Sequence, residues 1–382
     1  MKFQNLKTMD ERLLYMKELS QCFLTRAAKI EEEGSFPFEN ISELKSSGYT
    51  ELTLPKKYGG EGISLYDLVR FQEYIARGDG ATALSIGWHM GIIQDLGEKN
   101  RWKESVFQML CEDVKKGALI NNCASEPQTG SPTRGGKPTT TAIKKGDKWI
   151  INGRKTFSTM APVLDYFNVT ATVQETGDVG YFLIPRSTTG VEIVETWDSI
   201  AMKGTGSHDL VLNDVKIEED YLVEWFEPGN KGASGWLLHI PACYLGIAQA
   251  AEEYAINFAK DYSPNSITGS IIDLPYVKQK VGEMELELMR ARHFLYSVAK
   301  QWDDSNEEER NALKPELGAV KHAVTNAAIK VVDLAMRVVG AQSLSAKNPL
   351  QRYYRDVRAG LHNPPMDDMT ILLLAEKAIS QN

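Results

Sequence analysis

Cysteine is scarce and scattered: Cys22, Cys111, Cys123 and Cys243 are the only four in 382 residues. None forms a C-x-x-C pair, so neither a zinc site nor a disulfide framework is suggested, and a reducing cytoplasm is the expected location. A basic excess is also missing. The net charge is −8 and no Lys/Arg cluster is interleaved with aromatics, so nucleic acid and anionic membrane are poor default partners. No apolar run approaches the length of a bilayer span. The opening residues, Met1 to Lys7, lack the apolar core of a signal peptide, and none is expected. Internal repeats and low-complexity tracts are absent as well. What remains is 42% hydrophobic and 25% charged, an ordinary globular composition with length for two or three domains.

Residues 1–118 read as helical. Leu13, Leu14, Met16, Leu19, Phe23 and Ala27 sit near helical spacing, and helical pattern resumes at Leu65 after a Pro/Gly-punctuated loop from Leu54 to Gly62. Over 119–226 the period changes to two. Runs such as Phe167 to Val173, Val179 to Ile184 and Leu210 to Ile217 are rich in β-branched and aromatic residues, with Gly, Asp and Pro turns between them. Strands without intervening helices predict a small antiparallel barrel or sandwich. From 227 to 382 two apolar stripes, Val277 to Leu295 and Leu317 to Val338, with helices near 237–260 and 367–379, predict a four-helix bundle. The acidic run Asp303 to Arg310 reads as a solvated connection. Lys203-Gly204-Thr205-Gly206-Ser207-His208 holds two glycines of a dinucleotide fingerprint but no third and no following helix, which excludes a Rossmann reading.

Two stretches carry chemistry. Asn121 to Ser131 contains a hydroxyl-rich turn, and Trp149 to Thr159 is a strand ending in a flat aromatic beside two hydroxyls. A planar heteroaromatic ring needs such a hold. With them go Pro55 to Gly62, similar to a P-x-x-Y-G-G-x-G loop, and Met202 to Asp209, similar to an M-G-x-R-G-[ST] segment. In that order, across nearly the whole chain, the four resemble the acyl-CoA dehydrogenase superfamily. The resemblance implies an α+β fold of three parts: an N-terminal helical domain, a middle β-domain and a C-terminal four-helix bundle, with FAD between the last two. It implies that Ser125 faces the flavin pyrimidine, Ser131 the phosphates, Phe157 the ring face and Thr159 the N5 edge. Ser158 and Gln342 complete the implied cofactor set. The flavin carries the electron chemistry and the protein orients it.

The reaction is less plainly written. The superfamily's dehydrogenases abstract an α-proton with a buried carboxylate. Counting from Arg355-Asp356 puts Pro364 where that Glu is expected, and a second family position falls on Trp236 and Leu237, where an arginine for CoA phosphate is also missing. The stretch Asp261 to Ser266 lacks the arginine that would reach a neighbouring flavin pyrophosphate. Leu361-His362-Asn363-Pro364 instead resembles the L-H-[DN]-P run of a monooxygenase branch that includes dibenzothiophene monooxygenase, with Phe157-Ser158-Thr159 and His89 as further matches. That branch implies a flavin hydroperoxide and a separate flavin reductase. Candidate catalytic residues are therefore His362, Asp367 and His89, with Asp368, Glu224, Glu227 and His239 as other bases. Acyl-CoA dehydrogenation with an electron-transferring flavoprotein is expected first, oxygenation of a hydrophobic compound second, and flavin binding without turnover third. A homotetramer is expected through the bundle, and no metal.

Overall fold

The computed structural model describes residues 2–129, 136–226 and 232–380. Helix α1 (Met9–Glu33) begins at a capping box in which Thr8 and Glu11 satisfy each other's backbone N–H groups, and it ends at Gly34 in the left-handed region. It buries Met16, Leu19, Phe23 and Ala27, while Leu14 is exposed. After α2 (Phe38–Ser46) come α3 (Leu65–Gly78) and α4 (Gly80–Lys99), separated only by Asp79, whose carboxylate caps α4 through the Thr82 N–H at 2.9 Å. Helix α4 is buried over most of its length, which places it at the centre of the molecule. Helix α5 (Glu104–Lys115) closes the helical part.

The strands are β1 (Ile120–Cys123), β2 (Thr141–Lys145), β3 (Lys148–Ser158), β4 (Tyr166–Val173), β5 (Val179–Pro185), β6 (Val191–Val194), β7 (His208–Glu218) and β8 (Leu222–Phe226). They form one sheet in the order β6-β7-β3-β2-β4-β5-β8, with β1 also on β4. The sheet is largely antiparallel, as expected, but mixed: β1 and β2 both run parallel to β4. Parallel neighbours need a long crossover, and the β2–β3 hairpin provides it between β1 and β4.

The third part holds α6 (His239–Asp261), α7 (Pro275–Asp304), α8 (Glu307–Ala312), α9 (Lys314–Val339), α10 (Pro349–Ala359) and α11 (Asp367–Ser380). Helices α6, α7 and α9 pack on one another, and α3 and α4 pack on α6, so one apolar core runs through the first and third parts. The final helix does less than its pattern promised. Of α11 only Thr370 is buried, and Ile371, Leu372 and Ile379 face outward. The acidic run is not merely solvated either. Asp303 accepts hydrogen bonds from the Leu65 and Tyr66 N–H groups, both at 2.9 Å, and so caps α3 from the end of α7. Among the described residues no helix is long and apolar enough to cross a membrane.

Candidate flavin site

Strand β1 runs directly into the turn carrying Ser125, and the Thr156 N–H donates to the Ser125 carbonyl at 2.9 Å. The turn is thereby fastened to the end of β3, where the pairing with β7 shifts register between Lys155 and Ser158. A bulge of this kind re-aims side chains. It turns out Phe157, which has φ +55 and is 65% exposed, with Trp197 edge-on at 6.0 Å. A large aromatic held in the left-handed region and left in solvent is costly on both counts, which points to a face kept for a ligand.

Behind it lies a chain of hydroxyls. Thr159 Oγ1 is 2.9 Å from Ser207 Oγ, which is 2.8 Å from Thr205 Oγ1, and Thr205 donates to the Met202 carbonyl at 3.0 Å. Asn121 Nδ2 donates to the Thr159 carbonyl at 2.9 Å. The structure thus brings Ser125, Phe157, Ser158 and Thr159 together and adds Ser207 and Thr205. A flat aromatic with adjoining hydroxyl donors and acceptors fits a flavin ring. Ser131 lies outside the described residues. Gln342 is not part of the cluster: it stands exposed in the turn Gly340–Leu344, which packs on α9 and α10.

Two buried anchors hold this cradle. Glu126 accepts from the Thr139 N–H at 2.6 Å, the Thr140 N–H at 3.0 Å, both threonine hydroxyls, and Lys155 Nζ at 2.6 Å. Lys155 and Glu126 side chains are both fully buried. Burial pushes the Glu126 carboxyl up, but the Lys155 ammonium and the threonine donors prevail and hold it at about 2. The pair is ionised and locks the Ser125 turn to β3. On the far side the segment Met202–Ser207 is pinned by α10. The Met202 N–H donates to Asp356 at 2.6 Å, and Arg355 binds the Ile200 carbonyl. Glu31 of α1 pairs with both Arg355 at 2.6 Å and Lys203 at 3.2 Å. All three parts of the fold therefore meet at this loop.

The candidate acid/base residues have separate fates. His89 is fully buried. Its Nδ1 accepts from the Ile120 N–H at 3.2 Å, and its Nε2 lies 3.1 Å from the Thr50 carbonyl. Burial lowers its pKa to about 4, so it is a neutral tie between α4, β1 and the Thr50 turn, with no nitrogen left for a ligand. Asp367 accepts from Lys321 Nζ at 3.1 Å and Asn326 Nδ2 at 3.0 Å. Burial raises its carboxyl, but these partners together hold it below the usual carboxylate range, the reverse of a general base. His362 is exposed at the end of the turn Gly360–His362, beside Asn363, which accepts from Tyr244 Oη. His239 is buried and stacked on Trp236 at 5.9 Å, and burial depresses it to about 3. Glu227 lies outside the described residues. Glu224 is ion-paired with Arg101 at 3.0 Å, and burial raises its carboxyl.

The acyl-CoA dehydrogenase N-terminal, middle and C-terminal domain profiles match residues 16–101, 122–215 and 238–363. "Putative acyl-CoA dehydrogenase YdbM" of Bacillus subtilis (strain 168) is 56% identical over 374 residues, 97% of each chain. The human mitochondrial short-chain specific acyl-CoA dehydrogenase is 26% identical, with 87% of this chain and 80% of that one covered. Among solved structures, TdsC of Paenibacillus sp. A11-2 in complex with FMN and indole, a dibenzothiophene monooxygenase, superposes with TM-score 0.87 at 23% identity over 98% of both chains.

Proposed function

Because the chain belongs to the acyl-CoA dehydrogenase family of flavin-dependent oxidoreductases, we propose that its own residues equip it for flavin-dependent oxygenation, with acyl-CoA dehydrogenation as the second reading. The carrying observation concerns the missing base. Dehydrogenation must take a proton from carbon, which calls for a free, buried carboxylate beside the substrate. Pro364 and Trp236–Leu237 occupy the family positions, Asp367 is clamped by Lys321 and Asn326, and Glu224 is paired with Arg101. Oxygen transfer needs no such carboxylate. It needs the flavin ring held and water excluded.

In this reading Phe157 supports the ring, Ser125 and Thr159 orient its polar edge through hydrogen bonds, and His362 supplies or holds a proton. FAD follows the family pattern. The absence of arginine from Asp261 to Ser266 leaves a pyrophosphate with one cation fewer, and TdsC is a structural neighbour solved with FMN, so both flavins are to be tried. The electron source is a separate flavin reductase for oxygenation, or an electron-transferring flavoprotein if the second reading holds. A cytoplasmic location and a homotetramer belong to the same proposal. The tetramer is supported by outward apolar residues on α7 (Tyr276, Leu286, Met289) and α11 (Ile371, Leu372, Ile379).

The test mixes chemically reduced, flavin-loaded protein with O₂ in the presence of indole and measures both hydrogen peroxide and oxygenated product. Product with less than stoichiometric peroxide is expected, and His362→Ala should cut product formation by about two orders of magnitude. Stoichiometric peroxide at the rate of free flavin across a panel of aromatic acceptors would overturn the oxygenase reading.

A further inference from the structure

Both polar hydrogens of Thr159 are already committed inside the protein. Its backbone N–H donates to the Phe157 carbonyl at 2.9 Å, and its own carbonyl accepts from Asn121 Nδ2 at 2.9 Å. The direction of its hydroxyl is fixed from the far end of the chain behind it. The Met202 carbonyl can only accept. It takes the Thr205 hydroxyl at 3.0 Å, the Thr205 N–H at 3.1 Å and Trp197 Nε1 at 3.3 Å. A hydroxyl owns one proton. Thr205 has given its proton to Met202, so it accepts from Ser207 across 2.8 Å, and Ser207 accepts from Thr159 across 2.9 Å.

The opposite direction is disfavoured. It would leave the Thr205 and Met202 oxygens 3.0 Å apart with no proton between them. Met202 is not free to turn its carbonyl away, because its N–H is held by Asp356 at 2.6 Å. Thr205 is 1% exposed and Ser207 5%, so neither has ready recourse to solvent. Thr159 is half-buried, and what it retains for a ligand is the acceptor side of its hydroxyl.

That asymmetry distinguishes the two redox states of a flavin. Oxidised isoalloxazine carries a bare acceptor nitrogen at N5, and two-electron reduction makes the same atom an N–H donor. Two facing acceptors lose a hydrogen bond that an acceptor and a donor would make. On the flavin reading of the cradle, on which this rests, we infer that Thr159 selects the reduced flavin by accepting the N–H that reduction adds. Met202, Thr205 and Ser207 are positioning residues that act through it. The protein is then a receiver of reduced flavin and holds the oxidised form less tightly, which suits a supply of electrons from a separate reductase.

The test measures the affinity of the flavin-free protein for oxidised and for dithionite-reduced FAD and FMN, anaerobically, by equilibrium dialysis. The wild type should bind reduced flavin about tenfold more tightly than oxidised, equivalent to a midpoint potential raised by about 30 mV over free flavin. Thr205→Val and Ser207→Ala each release the Thr159 proton, so Thr159 can donate to the bare nitrogen. Both variants should bind oxidised flavin more tightly than wild type does, a gain that misfolding would not mimic, and the redox preference should fall to near unity. Equal or tighter binding of oxidised flavin by the wild type, or a ratio unchanged in either variant, would overturn the assignment and leave the cradle standing. No binding of either flavin in either state would instead sink the flavin reading and the redox preference with it.

Discussion

The residues that decide this site are those whose polar atoms are fully committed. His89 and Asp367 both looked available in the sequence, where a histidine on a helix and an acid at a helix start each had a catalytic and a structural reading. Their partners, Thr50, Ile120, Lys321 and Asn326, are distant in sequence, so no local pattern could separate the two. Lys155 was overlooked for the same reason: its partner Glu126 sits across the sheet. Breaking that buried pair leaves an uncompensated charge, so Lys155→Met should cost about 3–5 kcal/mol by chemical denaturation and loosen flavin with it. The pH dependence has a definite sign. The Glu126 carboxyl is held at about 2, below its ordinary value near 4.3, so its contribution to stability is present above about pH 4.3 and lost as the pH falls towards 2. Melting curves across that interval should show a loss in wild type that is muted in Lys155→Met. Phe157→Ala and Thr159→Ala should weaken flavin retention or shift its spectrum, read by equilibrium dialysis and absorbance, and unchanged retention in both would count against the cradle.

At the scale of elements, helix periodicity was legible where one face meets the core. The buried residues of α7 and α9 include Val277, Met284, Leu288, Leu317, Val320 and Val324, which were read from spacing alone. Strand identity was legible for the same reason, but the parallel pairing of β1 with β4 depends on a hairpin between them and leaves no periodic trace. Glycine in α4 shows how tightly elements meet. A Cβ at Gly91 would lie 2.4 Å from the Trp236 ring. Ala normally favours a helix over Gly by about 1 kcal/mol, yet Gly91→Ala should lower stability by about 1–3 kcal/mol through overpacking against the Trp236 ring. Thermal denaturation of the variant against wild type checks the effect. Asp367→Asn should likewise lower the melting temperature by undocking α11 from Lys321, while turnover per folded molecule stays near wild type. A collapse of turnover with stability intact would return Asp367 to the catalytic set.

For the whole molecule, the helical–β–helical order and the family were readable because the segments that carry them are local and ordered along the chain. The convergence of Glu31, Lys203, Arg355 and Asp356 on one loop was not, since it joins all three parts. The outward apolar residues of α7 and α11 predict self-association, and light scattering should give four times the 42.6 kDa chain mass. A monomer at micromolar concentration would contradict that. The most direct test of the proposed chemistry is an anaerobic titration of the oxidised, flavin-loaded protein with straight and branched acyl-CoAs, following flavin absorbance. Because the count from Arg355-Asp356 puts Pro364 where the family resemblance implies a base, and Asp367 is clamped by Lys321 and Asn326, no bleaching is expected from any of them. Prompt bleaching by one would show that a base is in place after all and would establish acyl-CoA dehydrogenation instead.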